Sequence, residues 1–95
     1  MPDDSAAIRA VVRGRVQAVG FRDYVETRAR TLRLSGYVRN LPDGRSVEVI
    51  AEGPRTALEQ LIAHLREGPR MSRVDTVDVE WSQPTGKHRN FGTVF

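Results

Sequence analysis

A chain of 95 residues that is 39% hydrophobic and 28% charged is the size of one small domain with one core, and is too apolar to stay disordered. The absence of cysteine excludes disulfides, thiolate metal sites, iron–sulfur clusters and cysteine nucleophiles. The net charge of +3 comes from 15 basic against 12 acidic residues; all the basic residues but Lys87 are arginines, spread from Arg9 to Arg89 without a dense run.

Residues 1–6 are expected to form a flexible N-terminal tail, polar and unlike a signal sequence. From Ile8 to Gly14 the chain is rich in β-formers, with Ile8, Ala10 and Val12 on one face, and reads as a first strand. Between Phe21 and Leu34 the apolar residues Phe21, Tyr24, Val25, Ala29 and Leu32 recur at intervals of three and four, predicting an amphipathic helix. Asp23 near its start and Arg30 and Arg33 near its end suit the helix dipole, and Ser35-Gly36 supplies a stop. Tyr37–Asn40 and Ser46–Glu52 read as strands joined by the turn Leu41-Pro42-Asp43-Gly44. Gly53-Pro54 opens a second helix with Leu58, Leu61, Ile62 and Leu65 as its stripe, and Gly68-Pro69 closes it. Val77, Val79 and Trp81 alternate with acids in a fourth strand. Residues 82–90 form a polar loop before a short strand over 91–95. The order βαββαβ plus a short β predicts an α+β, ferredoxin-like two-layer sandwich: a mainly antiparallel sheet with both helices on one face.

The informative junction is Gly14-Arg15-Val16-Gln17-Ala18-Val19-Gly20-Phe21-Arg22. A short loop feeding a helix N-terminus gathers unpaired N–H groups and adds the positive end of the helix dipole, a combination that suits a phosphate-sized anion. Arg22 in the first helical turn is electrostatically out of place unless an anion offsets it. On the residues alone this reading stands beside another, in which Arg22 is a solvated surface arginine and the glycines only let the chain turn. The loop is neither a Walker motif nor a dinucleotide fingerprint. Asn40, taken by itself, is a turn residue. His64 and His88 lack the spacing of paired metal ligands, so neither a metal nor a cofactor is expected.

Gly14–Arg22, followed by Gly36-Tyr37-Val38-Arg39-Asn40-Leu41-Pro42-Asp43-Gly44 and Val47-Glu48, closely resembles the acylphosphatase pattern GxVQGVxFR then GxVxNxxDGxVE. The similarity extends over nearly the whole chain as a single domain. It implies the same ferredoxin-like fold and hydrolysis of acyl phosphates to a carboxylate and inorganic phosphate, without metal or cofactor. By position it implies that Arg22 binds the phosphoryl group, that Asn40 holds the attacking water, and that the N–H groups of Arg15, Val16, Gln17, Ala18, Val19 and Gly20 cradle the phosphoryl oxygens. The family usually has glycine where this chain has Ala18. If that position needs a positive φ, alanine is strained by about 1 kcal/mol or the cradle is reshaped.

Two rival readings are a non-catalytic anion-binding domain, for which Ala18 speaks, and a ferredoxin-like RNA binder, which needs aromatics on an open sheet face. The chain has six aromatics and no RNP-like string, so no nucleic-acid partner is expected. No apolar run approaches a membrane span. A monomeric cytoplasmic enzyme acting on a small acyl phosphate is the expectation.

Overall fold

The computed structural model describes residues 4–95. The elements run β1 (Ser5–Arg15), α1 (Phe21–Thr31), β2 (Ser35–Asn40), β3 (Ser46–Pro54), α2 (Arg55–Glu67), β4 (Arg73–Ser82) and β5 (Phe91–Val94). They form a five-stranded sheet in the order β4-β1-β3-β2-β5. Three neighbouring pairs are antiparallel and β2–β5 is parallel, so the sheet is mixed and mainly antiparallel, the ferredoxin-like α+β arrangement. β1 begins at Ser5, paired with Pro54, so residues 5 and 6 belong to the sheet and not to a tail. Residues 1–3 lie outside the described part.

One face of the sheet is the core. Ile8, Ala10 and Val12 of β1, Val38 of β2, and Val47, Val49 and Ala51 of β3 are buried there, beneath Phe21, Val25 and Ala29 of α1 and Leu58, Leu61, Ile62 and Leu65 of α2. The apolar periods of two and about 3.6 in the sequence are this contact surface.

α1 ends three residues earlier than its periodicity suggests. The Leu34 N–H donates to Ala29 O and the Arg33 N–H to Arg30 O, the paired bonds of a Schellman motif. Arg33 itself takes the left-handed conformation (φ 58°), so it closes the helix. Gly36 is needed for a different reason: a Cβ there would overlap the Ile50 carbonyl of the adjacent strand.

The other face carries charge. Across the β2–β3 register Arg39 lies opposite Glu48, and the buried Glu48 carboxylate accepts hydrogen bonds from Arg39 Nε at 2.6 Å and Arg9 Nε at 2.7 Å. Arg13 pairs with Asp78 on the same face. The segment 83–90 leaves edge strand β4 and returns as the opposite edge, β5, crossing this face on the way. Glu52 fastens it, accepting from Thr85 N, Thr85 Oγ1 and Gly86 N at 2.6–3.0 Å, and His88 packs edge-on against Tyr37. The open face thus presents ion pairs and a strap, with the Tyr37 ring packed under the strap at His88.

Candidate active site

The C-terminal ends of β1 and β2, the start of β3 and the end of β5 meet at one end of the sheet. β1 breaks its register between Arg13 and Gly14. Gly14 has φ 140°, and a Cβ there would overlap the Arg73 carbonyl oxygen, so only glycine fits at this bulge, where β1 parts from β3 while still paired with β4. In the loop that follows, Val16 is buried and plugs the core, and Val19 is half-buried against it. Ala18 adopts φ 58°, the left-handed conformation whose cost for alanine the sequence raised. Gly20, at φ 79°, is the N-cap of α1, and no side chain caps the helix. Among the described residues no backbone carbonyl engages the N–H groups of residues 16–19. The first-turn N–H groups of α1 lack intrahelical partners as at any helix start.

A cleft of about 430 Å³ opens over this loop. It is lined by Val16, Ala18, Gly20, Phe21 and Arg22 of the loop and the start of α1, by Asp23 and Glu26 further along α1, and by Thr93 and Phe95 at the end of the chain. The Arg22 guanidinium stands 4.6 Å from the centroid of the Phe95 ring, a cation–π contact. Among the described residues no carboxylate forms an ion pair with it. Its charge faces the cleft beside the positive end of α1, where an anion lowers the energy of both. Glu26, one turn further, accepts from Thr93 Oγ1 at 3.1 Å and so links α1 to β5.

Of the eight residues named from sequence, Val16, Ala18, Gly20 and Arg22 line this cleft together. The side chain of Gln17 turns away: its Nε2 donates to Leu41 O and Ser46 O, each at 2.8 Å, clamping the loop to the β2–β3 turn. Arg15 lines a neighbouring cleft. Asn40 ends β2 on the helix-facing side, next in sequence to the clamped Leu41. Its Oδ1 is buried and meets no hydrogen-bond donor, an uncommon condition for an amide oxygen. The turn beyond it is closed by Asp43, which accepts from Ser46 Oγ and Arg45 N–H; the Ser46 hydroxyl first, and the Arg45 N–H after it, hold its carboxyl below the usual range.

Sequence reasoning missed the part of the lining that comes from β5 and the residue after it. Thr93 and Phe95 reach the cleft because β5 pairs in parallel with β2, a long-range pairing with no local signal. Glu26 was within reach, since it lies four residues from Arg22 on the same helix face. Among the described residues no three His, Cys, Asp or Glu side chains group in a way that could hold a metal ion, and no helix is long and apolar enough to cross a membrane.

Fold and cleft together define a ferredoxin-like α+β protein with an open N–H loop at a helix start. The acylphosphatase family model matches residues 8–93. Two relatives named acylphosphatase are those of Thermus thermophilus, 54% identical over 81% of this chain and 86% of the relative, and Salinibacter ruber, 51% identical over 88% and 87%. The crystal structure of acylphosphatase from Bacillus subtilis superposes with a TM-score of 0.90 at 39% identity, covering 95% of this chain and 99% of that one. The chain belongs to the acylphosphatase family, and so is an enzyme of the hydrolase class.

Proposed function

We propose that the protein cleaves the phosphorus–oxygen bond of acyl phosphates without a metal ion, holding the phosphoryl group on the backbone N–H groups of residues 15–20 and the Arg22 guanidinium while Asn40 orients the attacking water. The observation that carries this reading is the coincidence, around one cleft, of unengaged loop N–H groups, an uncapped helix start and an arginine without a carboxylate partner.

The chemistry asks for little more. An acyl phosphate already carries a good leaving group, so neither a strong acid nor a covalent nucleophile is required. In a loose transition state negative charge spreads over the equatorial phosphoryl oxygens, where oriented N–H groups and a forked guanidinium stabilise it most. The water oxygen bonds to phosphorus as the bond to the acyl oxygen breaks, and the acyl group leaves as carboxylate. Asn40 is an amide and no base. Its orphaned Oδ1 accepts an O–H of the water and directs the lone pair, while the proton passes to a phosphoryl oxygen of the substrate.

The test is hydrolysis of benzoyl phosphate in EDTA by the wild-type protein and Arg22→Ala, with inorganic phosphate as competitor. Turnover that phosphate inhibits, and that falls by about a thousandfold in the variant, is the expected result. Turnover retained by folded Arg22→Ala would sink the assignment of Arg22. Phosphate protection against unfolding with no turnover would favour the non-catalytic anion-binding reading.

A further inference from the structure

Beside the catalytic cleft lies a second one of about 660 Å³, and its walls are basic: Arg15 from the end of β1, Arg45 from the β2–β3 turn, Arg70 from the α2–β4 loop and Arg73 from the start of β4, with Asp75 as the one acid. Three stretches of chain, at residues 14–15, 45 and 70–73, bring these arginines to one cleft, and backbone contacts hold the stretches against each other. The Gly14 N–H donates to Arg45 O at 3.0 Å. Arg15 pairs with Arg73 across the β1–β4 ladder, and Gly14 packs directly on the Arg73 carbonyl. The turn carrying Arg70 is closed by Ser72, whose N–H and Oγ both donate to Pro69 O, at 2.9 and 2.6 Å.

The charges do not cancel. Arg73 is bonded to Asp75 at 3.2 Å, whereas among the described residues no carboxylate pairs with Arg15, Arg45 or Arg70. Three unpaired cations set around one concavity repel one another, and a multiply charged anion relieves all three at once. A shallow cleft containing Tyr24 and Arg28 lies between the two sites, sharing Gly20 and Asp23 with the catalytic cleft and Arg70 and Ser72 with the basic one. The basic cleft has no aromatic side chain on its walls, so it offers forked donors for phosphate groups and no stacking surface for a base.

We propose that this cleft is a second anion site, distinct from the Arg22 cleft although the Arg15 side chain reaches it from the catalytic loop, that takes a short run of linked phosphate groups. The site stands independently of the acylphosphatase mechanism. The run of phosphates belongs either to a free inorganic oligophosphate or to a nucleoside triphosphate.

The experiment is calorimetric titration of inorganic tripolyphosphate and adenosine triphosphate, at low and moderate salt, into the wild-type protein, Arg22→Ala and the double variant Arg45→Gln/Arg70→Gln. Thermal melts confirm that each variant is folded, and amide chemical shifts locate the site. Tripolyphosphate should bind Arg22→Ala nearly as well as wild type, shift the amides of residues 14, 15, 45 and 70–73, and lose at least about tenfold in affinity in the double variant. Adenosine triphosphate should bind no more tightly than tripolyphosphate if the phosphates alone are read, and more tightly if the nucleotide is the proper ligand. Tripolyphosphate binding that vanishes in Arg22→Ala would overturn the proposal, as would binding unchanged in the double variant. So would a single-stranded oligonucleotide that binds the same residues more tightly than either.

Discussion

The carboxamide of Gln17 donates to the carbonyl of Leu41 at 2.8 Å, joining the middle of the loop to the residue that follows Asn40. Loop and asparagine come from segments more than twenty positions apart, and this side chain sets their spacing. Gln17→Ala removes two hydrogen bonds from part-buried carbonyls, at a cost of about 1–3 kcal/mol. In the proposed mechanism it lets the water ligand drift relative to the phosphate, so kcat should fall by about tenfold while the inhibition constant of inorganic phosphate changes less. Urea unfolding and steady-state kinetics measure the two effects separately.

Asn40→Ala should separate function from stability. Removing an acceptor that is buried and unpartnered sacrifices no protein hydrogen bond through that atom, so the unfolding free energy should stay within about 1 kcal/mol of wild type. If Asn40 holds the water, kcat should drop by at least about a hundredfold with phosphate binding preserved. A parallel loss of phosphate affinity would move Asn40 from the water to the anion.

Ala18→Gly is expected to stabilise the protein. Left-handed φ costs an alanine about 1–2 kcal/mol, and glycine adds back about 0.4–1 kcal/mol of unfolded-chain entropy. With φ 58° at this position, the net gain should be about 0.5–1 kcal/mol. Denaturant midpoints of the two proteins check it, and phosphate titration shows whether the alanine methyl, which lines the cleft, also hinders the anion.

Acid should loosen the open face of the sheet. Burial raises the carboxyl of Glu48, but hydrogen bonds from Arg39 and Arg9 outweigh it and leave the pKa below its ordinary value of 4.5. For Glu52 burial is likewise outweighed, by Thr85 and the Gly86 N–H. A carboxyl whose folded pKa is depressed contributes stability that is complete above the unfolded value and is lost as pH falls through the folded one. Unfolding free energy should therefore hold down to about pH 4.5 and decline below it. Glu48→Gln, weaker at neutral pH by about 1–2 kcal/mol, should show a shallower decline; an unchanged slope would mean that Glu48 does not govern it.

The element order and the core are legible in the chain's local pattern. Alternation in Ile8, Ala10 and Val12 and the three-and-four spacing of Leu58, Leu61, Ile62 and Leu65 are properties of the backbone's own periods, and burial follows them. The loop with Gly14 and Gly20 and the helix start after it are legible too, because both have local signatures, whereas the residues alone leave Arg22 open between an anion ligand and a surface arginine and only the family pattern gives it a role. The helix end is not legible in this way: Ser35-Gly36 has the composition of a stop, while Arg33 takes the left-handed conformation that glycine usually takes.

Tertiary structure alone decided the rest. The family pattern places Gln17 in the phosphate cradle through its N–H, and only packing brings its side chain onto the carbonyls of Leu41 and Ser46. Thr93 and Phe95 joined the cleft through a parallel pairing of strands separated by more than fifty residues. Arg15, Arg45, Arg70 and Arg73, scattered in the chain, became one basic wall. Local propensity acts over a few residues, whereas a site is made by packing, which joins positions whose separation along the chain leaves no trace in composition or period.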